Sequence, residues 1–187
     1  MTILIVDDVA IFRIMLKDII TKHVAAAPGE YHEIKLEEAS DGKVAVKEYK
    51  RLKPDLVFLD VFMPGQNGKD TVKQIIEHDP NAWIIMCSGS AEKSVVRDCI
   101  RAGATDYVLK PLDPRRVALA LERFRRGDAS LVNLDEIYEE APKAIAPAKK
   151  DKKEASAPAP GAADKEDMGD AFVIRGKSDE ESEDGDV

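Results

Sequence analysis

Four short apolar runs in this chain each stop at a reactive side chain. Ile3–Val6 leads to Asp7 and Asp8, Leu56–Leu59 to Asp60, Trp83–Cys87 to Ser88, and Tyr107–Leu109 to Lys110. Runs this short and this apolar read as strands buried on both faces. In an open parallel sheet, ligands bind outside the carboxyl ends of the strands. The five reactive side chains are therefore expected at one point. Clustered carboxylates repel one another unless a divalent cation lies among them, and hard oxygen donors suit Mg²⁺. A lysine and a hydroxyl beside that cation suit a phosphoryl group.

Between and after these runs the pattern alternates. Helix 1 is expected over Val9–His23, where Ile11, Phe12, Met15, Leu16 and Ile19 recur at helical spacing. Val24–Tyr31 contains Pro28-Gly29 and reads as a loop. A second strand is expected over His32–Glu37, and a second helix from Asp41-Gly42 to just before Pro54. Strand 3 (Leu56–Asp60) runs into a turn-rich stretch, Met63 to Gly68. Helix 3 follows over Lys69–Glu77, then strand 4 (Ala82–Cys87). Helix 4 (Ala91–Ala102) has Gly103 as its C-terminal cap. Strand 5 is Thr105–Leu109, and helix 5 begins between Pro111 and Pro114 and reaches Arg126. Five βα units predict an α/β fold, a parallel sheet with helices on both faces.

Charge divides the chain. Residues 1–127 hold 20 Lys+Arg against 19 Asp+Glu, and residues 128–187 hold 8 against 17. The formal charge of −8 thus belongs to the C-terminal part, which argues against nucleic-acid binding through a basic patch. Residues 141–163 are rich in Ala, Pro and Lys, and 178–187 form an acidic run. Neither buries enough apolar area to offset its ordering entropy, so 141–187 is expected to be disordered. Residues 127–140 read as a linker with a short amphipathic segment, Leu131–Glu140, and residues 1–126 as the folded domain. Cys87 and Cys99 lie too far apart for a zinc pattern and read as buried thiols in a reducing compartment. The N-terminus opens into a strand rather than a signal peptide, and no run is long enough for a membrane span. The expected location is the cytoplasm.

Residues 1–126 resemble the receiver domain of two-component response regulators. The pieces that carry the resemblance are ILIVDD at 3–8, PDLVFLDVFMPGQNG at 54–68, IIMCSGS at 84–90 and GATDYVLKP at 103–111. It implies the flavodoxin-like fold, a doubly wound five-stranded sheet with five helices, and phosphorylation on aspartate by a partner histidine kinase or histidine-phosphotransfer protein. By that resemblance Asp60 is the phospho-acceptor. Asp8 is a direct Mg²⁺ ligand and Asp7 its neighbour, acting directly or through water. Asp60 and the backbone carbonyl of Phe62 complete the metal site. Ser88 is the switch hydroxyl and Lys110 the phosphoryl-binding ammonium, with Pro111 after it often in a cis peptide. Tyr107 is the aromatic residue whose ring turns inward on phosphorylation. Phe62 and Ser90 occupy the two positions that tune rate, and the bulk of Phe62 is expected to slow self-dephosphorylation. Beyond such slow self-dephosphorylation, no enzymatic activity is expected.

An acyl phosphate adds charge of about −1.5 to −2, which is expected to shift the loop after strand 4, helix 4 and strand 5 between two states. The resemblance places output on the helix 4–strand 5–helix 5 face, toward a protein target and not DNA. Glu92, Lys93, Arg97, Arg101, Arg115, Arg116 and Arg123 are its expected exposed residues. The protein is expected to be a monomer or a phosphorylation-dependent dimer. The acidic tail is expected to fold back on the basic helix 5 in one phosphorylation state. Two further readings stand beside a chemotaxis-type switch: a phosphorelay intermediate or phosphate sink, and an adaptor acting through its tail. A metal-dependent phosphatase would need a second aspartate where this chain has Phe62.

Overall fold

The computed structural model describes residues 1–129 apart from 28, 30 and 32. The expectations for a linker at 127–140, an amphipathic segment within it and a disordered tail fall largely or wholly outside these residues. Five strands form one parallel sheet in the order β2-β1-β3-β4-β5: β1 (Thr2–Val6), β2 (Lys35–Ala39), β3 (Leu56–Asp60), β4 (Ile84–Ser88) and β5 (Asp106–Leu109). The five helices are α1 (Ala10–Ala26), α2 (Gly42–Leu52), α3 (Gly68–His78), α4 (Lys93–Ala102) and α5 (Pro114–Arg126). The parallel sheet is the one the βα pattern predicts, and its flavodoxin-like form is the one the family resemblance implies; the order makes β1 and β3 neighbours at the sheet's centre.

Side-chain alternation along the central strands builds two cores. Leu4, Val6, Val57, Leu59, Ile84 and Met86 face Ala45 and Tyr49 of α2, Val72 and Ile75 of α3, and Val96 and Cys99 of α4. Ile3, Ile5, Leu56, Phe58, Ile85 and Cys87 face Leu16 and Ile20 of α1 and Val117 and Leu121 of α5. Both faces being covered explains why β1, β3 and β4 are apolar throughout rather than alternating. Both cysteines are buried, with no disulfide, and burial pushes both thiols up, Cys99 to about 11. No helix among the described residues is long and apolar enough to cross a membrane.

Local chemistry starts and stops the helices where polar caps allow. Asp41 accepts from the Val44 amide at 2.9 Å, Asn67 from the Asp70 amide at 2.9 Å, and Asp113 from the Arg115 amide at 2.8 Å. Gly103 and Gly127 end α4 and α5 in the left-handed region.

Several boundaries differ from the expected ones; the fourth strand, expected over Ala82–Cys87, lies over Ile84–Ser88. The helix expected to stop at His23 continues to Ala26: Val24-Ala25-Ala26 is good helix-forming sequence, and only Pro28-Gly29 forces a stop. The strand expected over His32–Glu37 lies over Lys35–Ala39, because β2 takes its register from β1, with Thr2 opposite Lys35 and Val6 opposite Ala39. The fourth helix starts at Lys93, not Ala91. Glu92 stays extended, its amide donating to Ser90 Oγ at 3.2 Å. On the α4–β5–α5 face, Glu92, Lys93, Arg97, Arg101 and Arg115 are exposed as expected. Arg116 is half-buried, and so is Arg123, whose guanidinium reaches Asp106 at 3.4 Å.

Candidate phosphoryl-acceptor site

The sheet order brings the ends of β1, β3 and β5 together, although their reactive residues are far apart in sequence. Carboxylate oxygens of Asp7, Asp8 and Asp60 lie within 4.8 Å of one another. Asp7 and Asp60 are buried, at 5% and 4% exposure, while Asp8 faces solvent. Lys110 reaches into this group from the end of β5. Its Nζ donates to Asp7 Oδ2 at 2.7 Å and to Asp60 Oδ1 at 2.9 Å. The Lys110–Pro111 peptide is cis.

Burial raises the Asp60 carboxyl above the ordinary carboxylate value. The Lys110 hydrogen bond and charge pull it down without cancelling that effect, and the neighbouring Asp7 charge pushes it up again. For Lys110 the balance runs the other way. Burial alone would lower the ammonium's pKa, but the hydrogen bonds to Asp7 and Asp60 outweigh it and the net shift is upward. The lysine ammonium thus sits between two buried carboxyl groups.

Asp7 is held at four atoms, its amide donating to the Ala39 carbonyl of β2 at 3.2 Å. Its Oδ1 accepts from the Val9 amide at 2.9 Å, its Oδ2 from Lys110, and its backbone carbonyl from Arg13 Nη1 at 2.7 Å. Arg13 is itself anchored, its Nε donating to Glu38 Oε2 of β2 at 2.7 Å, and Lys17 pairs with the other oxygen of Glu38. Asp8, exposed and next in sequence, stands at the rim of the same cluster. The donor set suits a small hard cation: three carboxylates gather at one point with a single ammonium to offset them.

Ser88 and Tyr107 lie behind this cluster. Ser88 is fully buried and its Oγ accepts from the Ser90 amide at 3.1 Å. The Tyr107 ring is fully buried, with its hydroxyl donating to the Ser90 carbonyl at 2.8 Å. A half-buried ring with its hydroxyl in water, the alternative open to an isolated strand tyrosine, is not what the structure shows. Both residues therefore hold the β4–α4 loop at Ser90. Phe62 projects outward, 57% exposed. It lines the rim of an apolar cavity of about 170 Å³ with Val61, Asn67, Lys69, Val95, Asp98 and Cys99.

Three contributors escaped the sequence reading. Arg13 and Phe12 are on α1, and nothing in their spacing marks them off from the rest of the helix. Gly68 is the third: a Cβ there would lie 2.1 Å from the Asp60 carbonyl oxygen, so α3 can start this close to the end of β3 only with glycine. The glycine-rich turn from Met63 to Gly68 was the signal that could have found it.

Residues 3–122 match the family model of the response regulator receiver domain. The chain belongs to that family, and membership makes it a phosphoryl acceptor on an aspartate, of the two-component signalling type. Among similar proteins, the chemotaxis protein CheY of Thermotoga maritima is 47% identical over 124 residues, which cover 66% of this chain and 97% of that protein. The chemotaxis protein CheY of Bacillus subtilis is 41% identical over 121 residues, covering 65% and 94% respectively. Among solved structures, the CheX–CheY–BeF3–Mg²⁺ complex from Borrelia burgdorferi is matched with a TM-score of 0.56 at 34% identity, over 64% of this chain and 85% of that one. The response regulator domain of Thermotoga maritima CheB is matched with a TM-score of 0.56 at 32% identity, over 70% and 97%.

Proposed function

We propose that Asp60 is the acceptor aspartate, that its donor is a phosphohistidine on a histidine kinase or phosphotransfer protein, and that phosphorylation switches binding of a protein target through the α4–β5–α5 face. The observation that carries this reading is the Lys110 ammonium shared between Asp7 and Asp60, with Asp8 at the rim. In the transfer, a carboxylate oxygen of Asp60 attacks phosphorus and an O–P bond forms as the N–P bond of the donor breaks. The leaving imidazole keeps the electron pair and takes a proton from solvent. The product is an acyl phosphate on a residue that begins the step ionised.

Asp7, Asp8 and Asp60, with the Phe62 carbonyl by family analogy, would hold a Mg²⁺ ion. When bound, that ion offsets charge on the transferring oxygens. Lys110 is already within hydrogen-bond reach of the attacking carboxylate, so its ammonium can accompany the charge onto the phosphoryl group. Ser88 Oγ is the hydroxyl for another phosphoryl oxygen. Turning it forward releases the Ser90 amide, and Ser90 is also where the Tyr107 hydroxyl binds. The signal thus passes from Ser88 to the β4–α4 loop and to the face carrying Lys93, Arg97 and Arg101. Two of the similar proteins above are chemotaxis proteins, and a chemotaxis-type target is the favoured output.

The test is intact-mass measurement after incubation with acetyl phosphate and Mg²⁺, on the full chain and on Asp60→Asn. The expected result is one added phosphoryl group in the parent, absent from the variant and absent without Mg²⁺. Equal labelling of Asp60→Asn moves the acceptor elsewhere and overturns the assignment.

A further inference from the structure

The Lys110 ammonium has a third neighbour. Its Nζ lies 4.1 Å from the centroid of the Phe12 ring. The lysine side chain is only 11% exposed, so its ammonium meets the Asp7 and Asp60 carboxylates and the Phe12 ring largely away from water. An ammonium within about 6 Å of an aromatic face is attracted by the ring quadrupole, more strongly where water is excluded. Phe12 is half-buried and packs against the core that holds Leu16 and Ile20, so its ring is fixed from below.

The three contacts differ in what phosphorylation does to them. The Asp60 carboxylate is consumed as it becomes an acyl phosphate. The Asp7 carboxylate belongs to the group of oxygens that suits a cation. The ring is touched by neither event. It has no charge to be neutralised, it does not titrate, and α1 holds it in place. From this we infer that Phe12 is a positioning residue for phosphoryl transfer. Its ring keeps the Lys110 ammonium over Asp60 while the two carboxylate hydrogen bonds are exchanged for bonds to the phosphoryl group. The inference rests on the proposed role of Asp60 and adds to it a residue that acts through Lys110.

Phe12→Leu keeps apolar volume under the lysine and removes the ring. Phe12→Tyr keeps the ring. Two readouts are needed on the full chain. The first is phosphorylation by acetyl phosphate with Mg²⁺, followed by intact mass over a range of acetyl phosphate concentrations. Phe12→Leu is expected to lose roughly 3- to 10-fold in maximum rate, the size of a partly buried cation–π contact. Its half-saturating acetyl phosphate should stay unchanged, and Phe12→Tyr should restore the rate. The second is the proton NMR shift of the Lys110 ε-methylene. It should lie upfield in the parent and in Phe12→Tyr, and return to the ordinary lysine position in Phe12→Leu, with or without any phosphorylation.

A parent that shows the upfield shift but takes no phosphoryl group would sink the proposed acceptor role and, with it, any role for Phe12 in transfer. A parent that is phosphorylated while Phe12→Leu matches it in rate overturns the inference alone. So does a Phe12→Tyr variant as slow as Phe12→Leu, because the ring would then be irrelevant and only the packing would matter.

Discussion

Lys110→Met is the substitution whose outcome follows most directly from the site. Methionine keeps the apolar stem of the side chain and deletes the ammonium. In the metal-free protein Asp7 and Asp60, at 5% and 4% exposure, then lose the ammonium that both of them bind. Breaking a buried ion pair from one side typically costs about 3–5 kcal/mol. At roughly 4 °C per kcal/mol for a domain of this size, the melting temperature should fall by about 12–20 °C. A divalent cation can take over the neutralising role, so much of the loss should vanish in saturating Mg²⁺. Even if only half is recovered, about 2 kcal/mol, apparent Mg²⁺ binding tightens by roughly 30-fold relative to the parent.

The pH dependence has a definite sign. The Asp60 carboxyl is raised by burial even with Lys110 present, and without the lysine one of the influences holding it down is gone. A carboxyl whose folded pKa lies above its unfolded value stabilises the fold while protonated and loses that contribution as pH rises through the folded pKa. Metal-free Lys110→Met should therefore come closest to the parent in acid and fall further behind toward neutral and alkaline pH. The assay is thermal unfolding of both proteins across a Mg²⁺ series at two pH values. A melting-temperature loss of the same size with and without Mg²⁺, or unchanged Mg²⁺ affinity, would refute the reasoning, because the ammonium and the cation would not be sharing the same carboxylates.

Two further outcomes follow from the geometry. Gly68→Ala places a Cβ 2.1 Å from the Asp60 carbonyl oxygen and 2.9 Å from Val61 Cα. These are backbone atoms that cannot swing aside, so the variant should lose about 1–3 kcal/mol or more in denaturant unfolding and accept the phosphoryl group more slowly; a variant as stable and as fast as the parent would contradict the close approach of α3 to β3. Phe62→Asn exchanges an exposed ring at the mouth of the site for a small amide that can orient water, and the timed decay of the phosphoryl group should quicken. Unchanged decay would remove Phe62 from the residues that set that rate.

The central strands were legible because β1, β3 and β4 are buried on both faces, and such strands show as unbroken apolar runs whose ends are sharp. Helix ends were legible where a polar cap or a glycine marked them, as at Asp41 and Gly103. They were not where the marker was tertiary. β2 is an edge strand with only Ala39 fully buried, so its composition is mixed and its register is imposed by β1. The end of α1 depended on how far a run of alanines carries a helix before Pro28. At the site, residues at strand ends announced themselves through the alternation of elements. Phe12 and Arg13 did not, because an aromatic and an arginine on a helix look the same whether they pack, solvate or reach across to a carboxylate. Their roles depend on where α1 crosses the sheet, which no local pattern records.

Asp7 and Lys110 are 103 residues apart in the chain, and Asp60 and Lys110 are 50 apart. The charge balance of this site therefore waits for the last strand of the sheet, although α5 and residues 127–187 are still to be made. Until β5 takes its place at the edge of the sheet, an emerging chain carries its acidic cluster without the lysine that tempers it. A half-made molecule thus lacks the full chemistry of a receiver even when its first three strands are already paired. Completion of this charge cluster is thus a mark that all five strands of the sheet have been made.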